Sequence, residues 1–357
     1  MPPVIPIPPD GCDFAELMAL EKIGENTFRS IAKPCPGGPR VIDGKNYITT
    51  YGGHVYAQAA WAAAQTVGEG CVIHNTSGYF LSPGLSTHPF TYTTTPLRTG
   101  RTITTLTVTA TQPTSPLSPR APCFTATISL KRPSTPPLTY QTPPSPSSTP
   151  LTRFATLLHG RHPRALPRRT YADMWAVVAS ASRAPHRSAS LPGLSWAQLP
   201  YAAAERAQAR MANMYAVTGR LGRAVNLHVC AHLYASDRET IYTVARQLGV
   251  WGRVEAVASV SHKVVVHELG EGVMFGEGEE GGEGEKWFCQ EVWTDRWADG
   301  RVVVHGRIYD VDTGKHVAST MQDGILKADF GGDDEEVERV REGFERGVVA
   351  KKARAKM

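Results

Sequence analysis

Apolar and polar positions along this chain fall into one pattern that occurs twice: a helix, then long strands rich in Thr and Val. In the first copy, Gly52-Gly53-His54 opens an Ala-rich run, VYAQAAWAAAQTV, which predicts a helix stopping near Gly68. Period-two segments with many β-branched residues follow at 72–81, 90–96, 102–112 and 123–131, and these predict strands. In the second copy a helix is predicted over 237–248, closed by Gly249 as a left-handed cap. Strands are predicted at 254–266, 286–294, 301–310 and 317–326, with Asp312-Thr313-Gly314 as a hairpin turn. The copies share landmarks. Gly100-Arg101 and Gly300-Arg301 each precede a long strand, and Thr125-Ala126-Thr127-Ile128-Ser129 can be laid on Ala318-Ser319-Thr320-Met321-Gln322. Two like domains are implied, with sheets that join edge to edge.

Other segments interrupt the repeat. Residues 113–122 read as an enlarged hairpin loop, and 133–150, rich in Pro, Ser and Thr, as an extended, mobile linker to which 153–169 adds basic residues. The Gly/Glu-rich run 268–285 reads as a disordered loop between two strands. The stretch 171–222 reads as largely helical. The division expected is an N-terminal domain over 1–132, a linker over 133–190, a C-terminal domain over 191–330 and a charged tail over 331–357.

Composition narrows the class. A length of 357 residues suits two domains, and 41% apolar residues suffice for a sizeable core. The net charge of +5 is mild, and no Lys/Arg stripe with interleaved aromatics points to nucleic acid. Six widely spread cysteines form no C-x-x-C pair, so reduced, buried thiols in an intracellular compartment are expected. The Pro-rich start lacks the features of a signal peptide, and no apolar run approaches the ~18 residues of a membrane span. The final Ala355-Lys356-Met357 matches a loose form of the peroxisomal address. It predicts a peroxisomal location through the import receptor, or a cytoplasmic one if the tripeptide is not read.

The candidate chemistry centres on Tyr234-Ala235-Ser236-Asp237-Arg238-Glu239. Ser236 and Glu239 have the spacing of a capping box, which places Asp237 at the first helical position, where the dipole favours its ionised form. No G-x-S-x-G, G-x-G-x-x-G or Walker motif occurs. His159-Gly160-Arg161-His162 lacks a third ligand, so neither a metal nor a cofactor is expected. Asp237, Ser259 and Gln322 remain as a set able to converge on one water. The aspartate would accept its proton, and the serine and glutamine would orient it.

The chain resembles the acyl-CoA thioesterase II family. In the first half the resemblance runs through Leu20-Glu21-Lys22-Ile23, Gly52-Gly53-His54-Val55-Tyr56-Ala57-Gln58-Ala59, Tyr79-Phe80-Leu81-Ser82-Pro83-Gly84 and Leu97-Arg98-Thr99-Gly100-Arg101. In the second it runs through Tyr234-Ala235-Ser236-Asp237, Ala258-Ser259-Val260-Ser261-His262, Gly306-Arg307-Ile308-Tyr309-Asp310 and Val317-Ala318-Ser319-Thr320-Met321-Gln322-Asp323-Gly324. It implies an α+β double hotdog: two antiparallel sheets, each wrapped around a central helix, joined edge to edge. It also implies an Asp–Ser/Thr–Gln triad, falling on Asp237, Ser259 and Gln322, that activates water to hydrolyse an acyl-CoA to free acid and CoA without a covalent intermediate.

The chain departs from the family where Gly-Gly-Gln becomes Gly52-Gly53-His54 and where Asp-His becomes Ser261-His262. His54 and Ser129 stand in the first copy where the repeat aligns Asp237 and Gln322, so only the second copy is equipped for chemistry. Rival expectations are a hotdog hydratase or dehydratase acting on acyl thioesters, and a non-catalytic acyl-thioester binder in a biosynthetic pathway. Exposed sheet edges allow a homo-oligomer.

Overall fold

A computed structural model describes residues 12–42, 44–112, 122–134, 138–141, 149–169, 187–199, 210–277, 284–332, 334–335 and 337–342. Helix α1 (Phe14–Met18) leads into β1 (Leu20–Gly24), β2 (Thr27–Ser30) and a hairpin of β3 (Pro36–Ile42) and β4 (Lys45–Thr50). Helix α2 (Gly52–Val67) follows, then β5 (Val72–Phe80), β6 (Thr91–Thr99), β7 (Ile103–Thr111) and β8 (Phe124–Lys131). Two one-turn helices, α3 (Pro150–Arg153) and α4 (Ala155–Leu158), precede β9 (Arg168–Arg169), β10 (Arg187–Leu191), β11 (Leu194–Leu199) and β12 (Met211–Val217). The chain then forms α5 (Val225–Ser236), α6 (Thr243–Leu248), β13 (Val254–Val266), β14 (Phe288–Ala298), β15 (Arg301–Asp310) and β16 (His316–Ala328).

Fourteen strands make one sheet in the order β1-β2-β6-β7-β8-β5-β13-β16-β15-β14-β12-β11-β10-β9. The two halves meet at the antiparallel β5–β13 seam, where Ser261 pairs Tyr79 and Lys263 pairs Ser77. Outward from that seam the orders β8-β7-β6-β2 and β16-β15-β14-β12 mirror each other. The expected edge-to-edge double hotdog is therefore the observed architecture. Its strands are legible because alternate residues face the helices: β7 buries Thr104, Leu106, Val108 and Ala110 and turns its intervening threonines outward.

The two central helices lie side by side inside the curved sheet. In α2, Ala57, Ala59, Ala60, Ala62, Ala63 and Ala64 are all buried, and their small side chains let α5 and the strands approach closely. The helices run head to tail. Tyr51, at the start of α2, bonds the Tyr234 carbonyl near the end of α5. Asn226, at the start of α5, bonds Cys71 and Ile73 just beyond the end of α2.

Several expectations are corrected. The central helix of the second half is α5, not a helix over 237–248; only its C-terminal part, α6, is helical there, with Gly249 in the expected left-handed cap (φ 76°). Residues 187–191, 194–199 and 211–217 are strands, not helix. β12 is buried at nearly every position, so it lacks the alternation that marks a one-sided strand. The reason is that residues 150–166 are not a loose linker. Phe154, Leu158 and Leu166 pack on Ala197, Ala212, Met214 and Cys289, covering the outer side of the sheet.

The Gly/Glu-rich run is ordered at its start: Val273 and Phe275 are buried, and two histidines of α5 hold their backbone. His162 bonds Asp312, and no metal-ligand cluster occurs among the described residues. No helix among them is long and apolar enough to cross a membrane. The expectations for 113–121, for much of 135–148 and for Ala355-Lys356-Met357 lie outside the described residues.

Candidate active site

Asp237 sits at the end of a helix, not at the start of one. It is the C-cap residue of α5 (φ −88°, ψ −13°). The capping-box reading of Ser236 and Glu239 therefore fails. The Ser236 hydroxyl donates to the Leu233 carbonyl at 2.8 Å. Its oxygen then accepts from His262 Nε2 at 2.7 Å, which fixes the proton of that ring on Nε2. Glu239 has φ 56° and turns the chain out of α5, while its carboxylate pairs with Arg246 at 2.7 Å.

The positive helix end that the aspartate was expected to have comes from the other half of the molecule. Asp237 accepts a hydrogen bond from the backbone N–H of Gly53, in the first turn of α2. A Cβ on Gly52 would stand 2.7 Å from Asp237 Oδ2, and one on Gly53 would stand 2.4 Å from the Tyr234 carbonyl. Only a glycine pair lets the head of α2 come this close. The Gly53 N–H and the dipole of α2 offset the unfavourable field of α5's own C-terminus.

Ser259 and Gln322 complete the expected set, and the structure brings all three side chains together. Ser259 Oγ donates to Asp237 Oδ1 at 3.0 Å. Gln322 Nε2 donates to Ser259 Oγ at 2.9 Å and also to Asp237 Oδ1. Asp237 and Gln322 are buried. Ser259 reaches the site through a bulge. In β13, Ser259 pairs Gly324 and Ser261 pairs Asp323, leaving Val260 without a partner. Ser259 and His262 are three residues apart and would face opposite sides of a regular strand; the extra residue turns both toward α5.

Burial raises the Asp237 carboxyl from 3.8 to about 6, against the hydrogen bonds from Gln322, Ser259 and Gly53 and the charge of Arg238. The carboxylate is thus a base poised near neutrality. His262 is pushed down to about 3 by burial and faces Ser236 rather than Asp237.

Two groups were missed from sequence. Thr240 donates its hydroxyl to Gln322 Oε1, and Tyr51 joins the two helix ends. Neither carries a motif; Gly52-Gly53 was read as the opening of a helix and as part of the resemblance, not as a partner of Asp237. The alignment of His54 and Ser129 with Asp237 and Gln322 is also corrected. His54 lies in the first turn of α2, where Nδ1 accepts from Cys35 N at 3.4 Å, and Ser129 faces the outer side of β8 and pairs with Thr105 at 2.9 Å. The end of the helix pair opposite Asp237 carries Asn226, whose amide bonds Ile73 N and Cys71 O, each at 2.8 Å.

Comparison with known proteins bears on both halves. Residues 44–131 match the model of the acyl-CoA thioesterase N-terminal domain. The match spans about a quarter of the chain and lies wholly in the N-terminal half. Acyl-CoA thioesterase 2 of Haemophilus influenzae is 34% identical over 89 residues, which are 25% of this chain and 28% of the relative's length. Over the whole chain the likeness is one of fold. The acyl-CoA thioesterase II TesB2 of Mycobacterium marinum superposes with a TM-score of 0.60 at 19% identity, covering 89% of this chain and 98% of that one. A hot dog fold protein of unknown function from Alicyclobacillus acidocaldarius does so with a TM-score of 0.58 at 16% identity, covering 88% and 98%. The matched segment contains the head of α2, and the Asp237, Ser259 and Gln322 side chains come from the other half.

Proposed function

We propose that the chain hydrolyses acyl-CoA thioesters by direct attack of water, with Asp237 as general base and Ser259 and Gln322 as its partners. The observation that carries the reading is the shared contact of Ser259 and Gln322 with Asp237 Oδ1. Both donors fill that oxygen. Oδ2, on the Gly52 side, is then the atom that takes the proton. As water oxygen bonds to the thioester carbon, its proton passes to Asp237. The positive end of the α2 dipole stabilises the oxyanion. The tetrahedral intermediate collapses by breaking its C–S bond, and the departing thiolate takes the proton back.

The test is thiol release from a panel of acyl-CoAs by wild-type protein and Asp237→Asn. Release by the wild type and its near loss in the variant support the reading. No release from any member of the panel, or an undiminished rate in the variant, overturns it.

A further inference from the structure

Thr240 lies between α5 and α6, just after the turn at Glu239, and is buried. Its hydroxyl has one proton and two acceptors in reach. Asp237 O stands at 3.4 Å, and Gln322 Oε1 is much closer, so the proton goes to the glutamine. An amide has two orientations of nearly equal shape, and the surrounding donors and acceptors decide between them. Here one orientation satisfies every partner. The donor Thr240 faces Oε1, and the acceptors Asp237 Oδ1 and Ser259 Oγ face Nε2.

We propose that Thr240 is a positioning residue for the hydrolysis: its hydroxyl locks the Gln322 amide with the NH2 group toward Asp237 and Ser259. The inference rests on the reading of Asp237 as base. Without the hydroxyl, a buried Oε1 has no donor on its side, and the amide turns to look for one. The turned amide points Oε1 at the carboxylate. Two acceptors then face each other, Ser259 loses its donor, and the proton is held more firmly on Asp237. Thr240 thus acts on the reacting centre through Gln322 and touches no substrate.

The pH dependence isolates this effect. Among the described residues, the other charged or titratable groups around Asp237 are Arg238, Glu239, which is paired with Arg246, Tyr51, Tyr56 and, behind Ser236, His262. Burial pushes both tyrosines well above 10 and His262 down to about 3, so none of the three titrates near pH 6.

The experiment compares wild type, Thr240→Val, Thr240→Ser, Gln322→Ala and the double variant Thr240→Val/Gln322→Ala, with melting temperatures for each. Thr240→Val keeps the shape and removes the hydroxyl. It should lower kcat about tenfold, as expected for one buried hydrogen bond, with KM little changed. The acid limb of its kcat profile should move to higher pH. Thr240→Ser should restore both. On the Gln322→Ala background, Thr240→Val should add almost nothing, because its target is gone. A wild-type kcat and pH profile in Thr240→Val, no recovery in Thr240→Ser, or multiplied losses in the double variant each overturn the inference. If Thr240→Val does not fold, Thr240→Ala takes its place in the same cycle. Wild-type rates in Gln322→Ala and Asp237→Asn would instead overturn the triad itself. Impaired triad variants with an unaffected Thr240→Val remove only the role of Thr240.

Discussion

Tyr51 donates its hydroxyl proton to the carbonyl of Tyr234 at 2.5 Å, across 183 positions of sequence. The bond ties the head of α2 to the tail of α5. It sets Gly52 and Gly53 against Asp237, so that one half's helix stabilises the other half's carboxylate. Buried rings continue the contact: Tyr51 and Tyr234 meet edge to face at 5.1 Å, and Phe14 stands on the far side of Tyr234 at 5.5 Å.

Replacing Asp237 by Asn should separate activity from stability. The acyl-CoA hydrolysis rate should fall by about 10²–10⁴, the usual contribution of a general base. Stability should move the other way. The folded-state carboxyl is raised from 3.8 to about 6, so its contribution to stability is present below about 4 and lost as pH rises through 6. The neutral amide removes that cost. At pH 8 the variant should be more stable than wild type by about 3 kcal/mol, and near pH 4 the two should agree. Chemical denaturation at both values measures the difference.

The rate itself should follow the same group. A base must be unprotonated, so kcat should rise with pH through a midpoint near 6 and flatten above it. Substituting Gln322 by Glu places a second carboxylate on Asp237. Like charges raise the pair, and the acid limb should shift upward by about one unit or more. A pH–rate series on wild type and Gln322→Glu tests both statements.

The two glycines should fail differently. Gly52→Ala puts a methyl 2.7 Å from Asp237 Oδ2 and 3.0 Å from the Phe80 ring. It obstructs the side of the carboxylate assigned to the attacking water, so hydrolysis should fall at least about tenfold, out of proportion to the drop in melting temperature. Gly53→Ala meets the Tyr234 carbonyl at 2.4 Å and the Tyr51 ring at 2.6 Å. Those groups are buried and bonded to each other, so overpacking should cost about 1–3 kcal/mol and lower the melting temperature clearly.

His228 should hold the start of the Gly/Glu-rich segment. Its Nδ1 accepts from Phe275 N at 3.0 Å and its Nε2 donates to Gly222 O at 2.9 Å, an arrangement that requires the neutral ring. His228→Leu leaves a buried N–H without its acceptor, and local opening should become easier by about 1–3 kcal/mol. Faster amide exchange at Val273 to Phe275, with β5 and β13 unchanged, is the expected result. Burial lowers the histidine from 6.5, so the wild-type segment should also loosen as pH falls below that value.

Much of the sheet was legible because the alternation of Thr with Leu, Val and Ala survives along β7 and β8, where one face meets α2 and the other meets solvent. Gln322 was legible through the resemblance and not through alternation, which it reverses: apolar Met321 is 43% exposed and polar Gln322 is 2% exposed. Helix α5 was not. Its residues from Leu227 to Ser236 are all buried, so no polar stripe marks its period, and the S-x-x-E spacing beyond it imitated a helix start. The bulge at Val260 left no trace in the residue order, although it aims Ser259. Thr240 gave no signal because its role exists only once β16 lies beside the turn after α5.

Asn226 has a consequence for stoichiometry. The mirrored strand order gives the two ends of the helix pair equivalent places in the fold. The far end is stitched shut by that asparagine's amide, which occupies the N–H and C=O groups leaving α2. With that end closed by a clasp, a tight substrate analogue should titrate as a single equivalent per polypeptide.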